Sequence, residues 1–179
     1  SLNLTAMKSR KSKAIYRMYR EKENKMSLTV YLGIDVGSVT TKLALVDEKG
    51  KYVDSVMLKT AGKPVMAVQN GLKQLYDKKL TDYVVMGVGT TGSGRNLAGA
   101  LVGADVIKNE ITAHAVAAST NVPGVQTILE IGGQDSQIIS MRDGIVTDFA
   151  LNTVCAAGTG SFLDPQAQRL NVRIANFCE

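Results

Sequence analysis

The same ordering of segments occurs twice in this chain: strand, glycine turn, strand, polar turn, strand. The first copy begins near Thr29 and the second near Val125. In the first, residues 29–36 (TVYLGIDV) are apolar and β-rich, Gly37-Ser38 turns them, and 40–46 (TTKLALV) alternate. Asp47-Glu48-Lys49-Gly50 turns the chain again, and 51–58 (KYVDSVML) alternate once more. Alternation at period two marks a half-buried strand. Connections this short force antiparallel neighbours, because a parallel return needs a crossover. In the second copy, 125–131 (VQTILEI) pass through Gly132-Gly133 to a strand at 136–141, and Arg142-Asp143-Gly144 turns it into 145–151. The copies share architecture, not sequence. A chain so ordered is expected to fold as α/β, with two related units that each open on an antiparallel meander.

Between the meanders, Val65, Val68, Leu72, Leu75 and Tyr76 recur at helical spacing behind Pro64, a residue tolerated in a first helical turn. The strand expected at 83–88 (YVVMGV) follows that helix, which predicts a parallel return. Gly89 to Gly94 reads as a loop, and 96–119 as helical with a break near Gly103. Pro165 predicts either a helix restarting behind Asp164 or a kink in one that begins at Gly160. The expected organisation is a basic tail over 1–27, poorly ordered or else a docking arm, a first unit over 28–120 and the start of a second over 121–179.

Composition excludes several classes. The net charge of +5 belongs to the tail, where eight basic residues stand against two acidic ones in residues 1–26, leaving 13 basic against 14 acidic, or −1, in the other 153. With no tryptophan and only nine aromatics, the chain lacks an aromatic–basic surface for nucleic acid. No stretch approaches the ~18 apolar residues of a membrane span. Two cysteines make no disulfide scaffold and fit a reducing cytoplasm.

The glycine turns carry the candidate chemistry. Backbone N–H groups in such turns can converge on an anion, since glycine permits close approach. In Gly33–Lys42, the hydroxyls of Ser38, Thr40 and Thr41 add donors beside Gly37 and Val39, and Lys42 offers a point charge for a phosphate. Asp35 cannot bind phosphate, but it could hold a hydrated Mg²⁺. The segment reads equally as a hairpin with an incidental strand-end Asp. A second loop of similar design, Gly132-Gly133-Gln134-Asp135, points to a nucleotide gripped between two halves. There Gln134 could orient a water on the terminal phosphate, with Asp135 assisting the metal or the water.

Other motifs are weaker. No G-x-x-x-x-G-K-[ST] occurs, which excludes a P-loop. Gly87–Gly92 matches G-x-G-x-x-G, but it follows the fourth strand of a meander, and Glu110 lies in a helical stretch rather than at a strand's end. Spacing makes Cys155, in CAAGTG, a small buried cysteine, because one thiolate cannot hold a cluster and Cys178 is 23 positions on. His114, the only histidine, reads as an ordinary helix residue.

Four segments in order, GIDVGSVTTKLAL, VGTTGSGRNLAGALVGAD, ILEIGGQDSQII and LNTVCAAGTGSFLD, resemble the BadF/BadG/BcrA/BcrD ATPase family, and within it the activators of 2-hydroxyacyl-CoA dehydratases. The resemblance covers about residues 28–175. It implies the ribonuclease-H-like fold of the actin/Hsp70/acetate-kinase ATPase superfamily, with ATP or ADP and Mg²⁺ in the cleft. It also implies a homodimer sharing one [4Fe–4S] cluster, reloaded by ferredoxin or flavodoxin. ATP hydrolysis would then drive a single electron into a 2-hydroxyacyl-CoA dehydratase or a benzoyl-CoA-reductase-like component. By motif, Gly37, Ser38, Val39, Thr40, Thr41 and Lys42 would form the first phosphate loop, and Asp35 the metal-side carboxylate. Gly132, Gly133, Gln134 and Asp135 would form the second loop, and Cys155 would be a cluster ligand, against the reading by spacing. The family's second cluster cysteine lies in a later segment that this chain does not contain, so the chain is expected to be an N-terminal fragment. A sugar or N-acetylhexosamine kinase of the same superfamily would share the phosphate loops without needing Cys155, and a non-enzymatic nucleotide-binding module is a third reading.

Overall fold

The computed structural model describes residues 28–78, 83–152 and 159–174. The elements run β1 (Leu28–Val36), β2 (Thr40–Asp47), β3 (Tyr52–Lys59), α1 (Pro64–Asp77), β4 (Tyr83–Thr91), α2 (Arg95–Val102) and β5 (Val106–Ile107), then α3 (Glu110–Asn121), β6 (Thr127–Ile131), β7 (Ser136–Arg142), β8 (Ile145–Leu151) and α4 (Gly160–Arg169).

The first sheet has the order β3-β2-β1-β4-β5, antiparallel across β3, β2 and β1, and parallel from β1 to β4 to β5. Val30, Leu32, Ile34 and Val36 alternate along β1 and are all buried. They share a core with Leu43 and Leu45 of β2, Val68 and Leu75 of α1, and Ala98 of α2. Each Val, Leu or Ile side chain among them stabilises the fold by about 1.5–3 kcal/mol when fully buried. α1 serves as the crossover that lets β4 return parallel to β1, as the sequence predicts.

The second sheet is the antiparallel meander β6-β7-β8. Ile139 and Met141 of β7 are buried with Ala115 of α3, and Ile111 packs against the same cluster. Thus α3 lies on the second sheet, whereas the sequence reading grouped everything to residue 120 with the first. The break near Gly103 is also sharper than the single interrupted helix expected there. Gly103 takes a left-handed conformation (φ 65°) that caps α2, β5 intervenes, and α3 starts afresh with the Asn109 side chain accepting from the Thr112 N–H at 2.9 Å. Farther on, α4 runs unbroken through Pro165, so no helix restarts behind Asp164.

The G-x-G-x-x-G motif has a packing role. β4 extends through Thr91, which places Gly87 and Gly89 inside the strand. Gly92 has φ +85°, and a Cβ there would lie 2.5 Å from both Asp35 Oδ1 and the Val36 carbonyl oxygen. The Gly94 N–H donates to that same carbonyl at 2.8 Å. The space that Gly92 leaves is therefore filled by the end of β1, not by a dinucleotide, and Glu110 opens a helix. We expect Gly92→Ala to lower stability in urea unfolding by more than the 1–2 kcal/mol of a left-handed backbone alone. Gly50→Ala supplies the control, because Gly50 shares the positive φ (+75°) with nothing within 4 Å of an added Cβ.

Candidate functional site

The ends of β1 and β6 bring the two glycine turns to one cleft, lined by Ser38, Thr40 and Lys42 from the first unit and by residues 132–135 from the second. The turns touch. A Cβ on Gly133 would lie 2.7 Å from Val39 Cγ2 and 2.8 Å from Val39 Cβ, so glycine is required there by proximity alone.

In the first loop, the Gly37 N–H donates to the Thr40 carbonyl at 2.9 Å. Lys42 faces Asp35 in register across β1 and β2, and its Nζ lies 3.0 Å from Asp35 Oδ2. The lysine expected as a point charge for phosphate and the carboxylate expected beside Mg²⁺ therefore neutralise each other. An exposed pair of this kind contributes only about 0–1 kcal/mol. Thr41 departs from expectation. Strand alternation turns Thr40 and Lys42 to the cleft and Thr41 away from it, fully buried, with Oγ1 2.9 Å from the Thr60 hydroxyl. Its side chain is not a phosphate donor.

In the second loop, the Gly132 N–H closes the turn on the Asp135 carbonyl at 2.8 Å. Behind the loop sits the start of α4, whose Gly160 and Ser161 N–H groups donate to the Gly132 and Gly133 carbonyls at 3.1 and 2.8 Å. The Ser161 hydroxyl donates to Gly133 as well. Carbonyl and following N–H point in opposite directions across a trans peptide, so the N–H groups of Gly133 and Gln134 face away from α4. The side chains of Gln134 and Asp135 are exposed along the cleft.

Several cleft residues escape the sequence reading. Glu130 stands two positions before Gly132 as Asp35 stands two before Gly37, and is thus the positional counterpart of Asp35. Glu130 pairs in register with Gln137, which is 5% exposed and whose buried Oε1 has no hydrogen-bond partner among the described residues. Glu110 and His114, one turn apart on α3, also line the cleft, and Arg95 Nη1 reaches Glu110 Oε2 at 3.4 Å. Counting from each glycine would have found Glu130; Glu110 and His114 depend on where α3 packs.

Among the described residues, no three His, Cys, Asp or Glu side chains converge to enclose a metal ion. Mg²⁺ typically needs only one or two carboxylates besides phosphates and waters, and Asp35 and Glu130 fit that requirement. Cys155 and Cys178 lie outside the described residues. No helix among those residues is long and apolar enough to cross a membrane.

Two strand meanders, each ending a first strand in a glycine turn, with the turns in contact across a cleft, define an α/β fold of the ribonuclease-H-like, actin/Hsp70/acetate-kinase ATPase class. Residues 32–177 match the model of the BadF/BadG/BcrA/BcrD ATPase family, and the chain belongs to that family. It is 35% identical, over 85% of its length and 58% of the relative's, to the (R)-2-hydroxyglutaryl-CoA dehydratase activating ATPase of Acidaminococcus fermentans. The activator of lactoyl-CoA dehydratase of Anaerotignum propionicum is 34% identical over 83% of this chain and 56% of that one. Among solved structures, the activator of the 2-hydroxyisocaproyl-CoA dehydratase from Clostridium difficile with bound ADPNP superposes with a TM-score of 0.72 at 30% identity, covering 82% of this chain and 54% of that one. The chain thus spans a little over half the length of these relatives.

Gly133→Ala is expected to force Val39 and the second loop apart and to weaken ADP binding by at least about tenfold, since groups around a ligand must hold position to within about 0.5 Å. Calorimetric titration of the full-length protein with ADP measures it.

Proposed function

We propose that this chain is the nucleotide-binding part of an activator that couples ATP hydrolysis to the transfer of one low-potential electron. The acceptor is a 2-hydroxyacyl-CoA dehydratase or a benzoyl-CoA-reductase-like component. The observation that carries this reading is the contact of two glycine loops across a cleft in a chain so similar to dehydratase-activating ATPases.

Phosphoryl transfer asks a protein mainly for positioning and charge. The backbone of the Gly37–Thr41 turn would hold phosphate on one side, and the N–H groups of Gly133 and Gln134, in the turn that Gly132 closes, would hold it on the other. Lys42 would exchange its weak bond to Asp35 for a phosphate oxygen, freeing Asp35 for the metal side. When bound, Mg²⁺ would neutralise charge on the β- and γ-phosphates. Gln134 would orient the attacking water, and Asp135 would assist it or the metal.

The electron would reside on a [4Fe–4S] cluster shared between the two subunits of a homodimer, with Cys155 as a ligand and ferredoxin or flavodoxin as donor. What supports this is position. Cys155 stands four residues before Thr159, the N-cap of α4, and α4 rests on the second loop through the Gly160 and Ser161 bonds. A shift of that loop on hydrolysis would pass to the start of α4 through those hydrogen bonds, four to five residues along the sequence from the cysteine. Free thiolates fit the reducing cytoplasm proposed as the compartment. The first sheet would form the first unit. The second sheet, with α3 added by its packing, would begin the second unit.

The test is anaerobic purification of the full-length protein beside a Cys155→Ala variant, with iron and acid-labile sulfide determined per dimer. About four irons per dimer, absent from the variant, together with a visible spectrum that changes on ATP addition, are expected for this cluster type. A colourless protein that still consumes ATP would overturn the electron-transfer assignment in favour of a kinase.

A further inference from the structure

Thr60 follows the last residue of β3 and is 95% buried, yet it holds the first loop at two points. Its N–H donates to the Val39 carbonyl at 2.8 Å. Its hydroxyl donates to the Gly37 carbonyl, also at 2.8 Å. A hydroxyl has one proton, so in the 2.9 Å contact between the Thr41 and Thr60 hydroxyls Thr41 must be the donor. The result is a directed chain from Thr41 to Thr60 to Gly37, buried at its first two members.

The direction of that chain decides what the loop offers to a ligand. Residues 37–40 form a two-residue connection between antiparallel strands, in which Gly37 N–H and Thr40 carbonyl are bonded. The reciprocal bond, from the Thr40 N–H to the Gly37 carbonyl, is not formed among the described residues; that carbonyl accepts from Thr60 instead. Across trans peptides, carbonyls drawn toward Thr60 turn the following N–H groups, those of Ser38 and Thr40, to the opposite side. Ser38 and Thr40 are residues that line the cleft.

We propose that Thr60 is a positioning residue that captures the Gly37 and Val39 carbonyls and thereby presents the Ser38 and Thr40 N–H groups to an anionic phosphate. This deepens the nucleotide reading and rests on it. The same residue fixes Val39, the side chain that meets Gly133, so Thr60 also sets the position of the first loop against the second. Thr60 never touches the ligand in this account. Its effect should therefore follow the ligand's phosphates and not its nucleoside.

Thr60→Val, nearly isosteric, deletes the hydroxyl and keeps the N–H; Thr60→Ser keeps both. In the full-length protein, titrated by calorimetry with ADP and with adenosine, Thr60→Val is expected to weaken ADP about tenfold or more. That is the loss of one hydrogen bond to a charged group. Adenosine binding should stay unchanged, and Thr60→Ser should restore ADP affinity to within about threefold. Thr60→Ala carries the same expectation as the valine variant if the latter fails to fold. A folded Thr60→Val or Thr60→Ala that binds ADP like the unaltered protein overturns the proposal. So does an equal loss for ADP and adenosine, which would mark a merely structural residue. Unaltered protein that binds neither ligand overturns the nucleotide reading itself, and the proposal with it.

Discussion

The approach of Val39 to Gly133 is the contact on which the site depends. It joins turns from two different sheets, and it leaves no room for a single added methyl group on the second. Each turn is held from behind by an element of its own unit. Thr60 draws on the carbonyls of the first, and the start of α4 donates to the carbonyls of the second. In both turns the carbonyls are occupied on the far side. The cleft between them is thereby bordered by backbone whose polarity favours an anion.

The two units share a further detail. Asp35 faces Lys42, and Glu130 faces Gln137, at the same place relative to the glycine turn and with the same sequence separation of seven. In the first unit the pair closes as a salt bridge. In the second, the partner is uncharged and its buried oxygen accepts nothing among the described residues. Of these two matching carboxylates, Asp35 is already compensated, whereas Glu130 has no ion pair among the described residues. A cation brought in with a nucleotide would meet unequal neighbours on its two sides.

Much of this was legible in the sequence because it is local. Val30, Leu32, Ile34 and Val36 announce β1 by alternation, and the short turns around Gly37 and Gly50 dictate antiparallel pairing. The helix behind Pro64 announces the parallel return of β4. What stayed hidden is not local. Val106-Ile107 is too short to show any period and is a strand only because β4 lies beside it. α3 carries few large apolar residues, and nothing in them says which sheet will receive Ile111 and Ala115. His114 and Glu110 reach the cleft only through that choice. Thr41 differs: alternation along β2 already placed it opposite Thr40 and Lys42, and the grouping of hydroxyls by sequence proximity obscured this.

The seating of α4 on the second turn also has a mechanical side. The helix has ten residues, so at 1.5 Å per residue it is an arm about 15 Å long. Its near end is pinned to the Gly132 and Gly133 carbonyls, where any rearrangement of the turn would be felt first. A tilt of about 5° there carries the far end through about 1.3 Å by simple leverage over that length. A displacement of the turn too small to break a hydrogen bond would thus become, one helix away, a movement large enough to repack side chains.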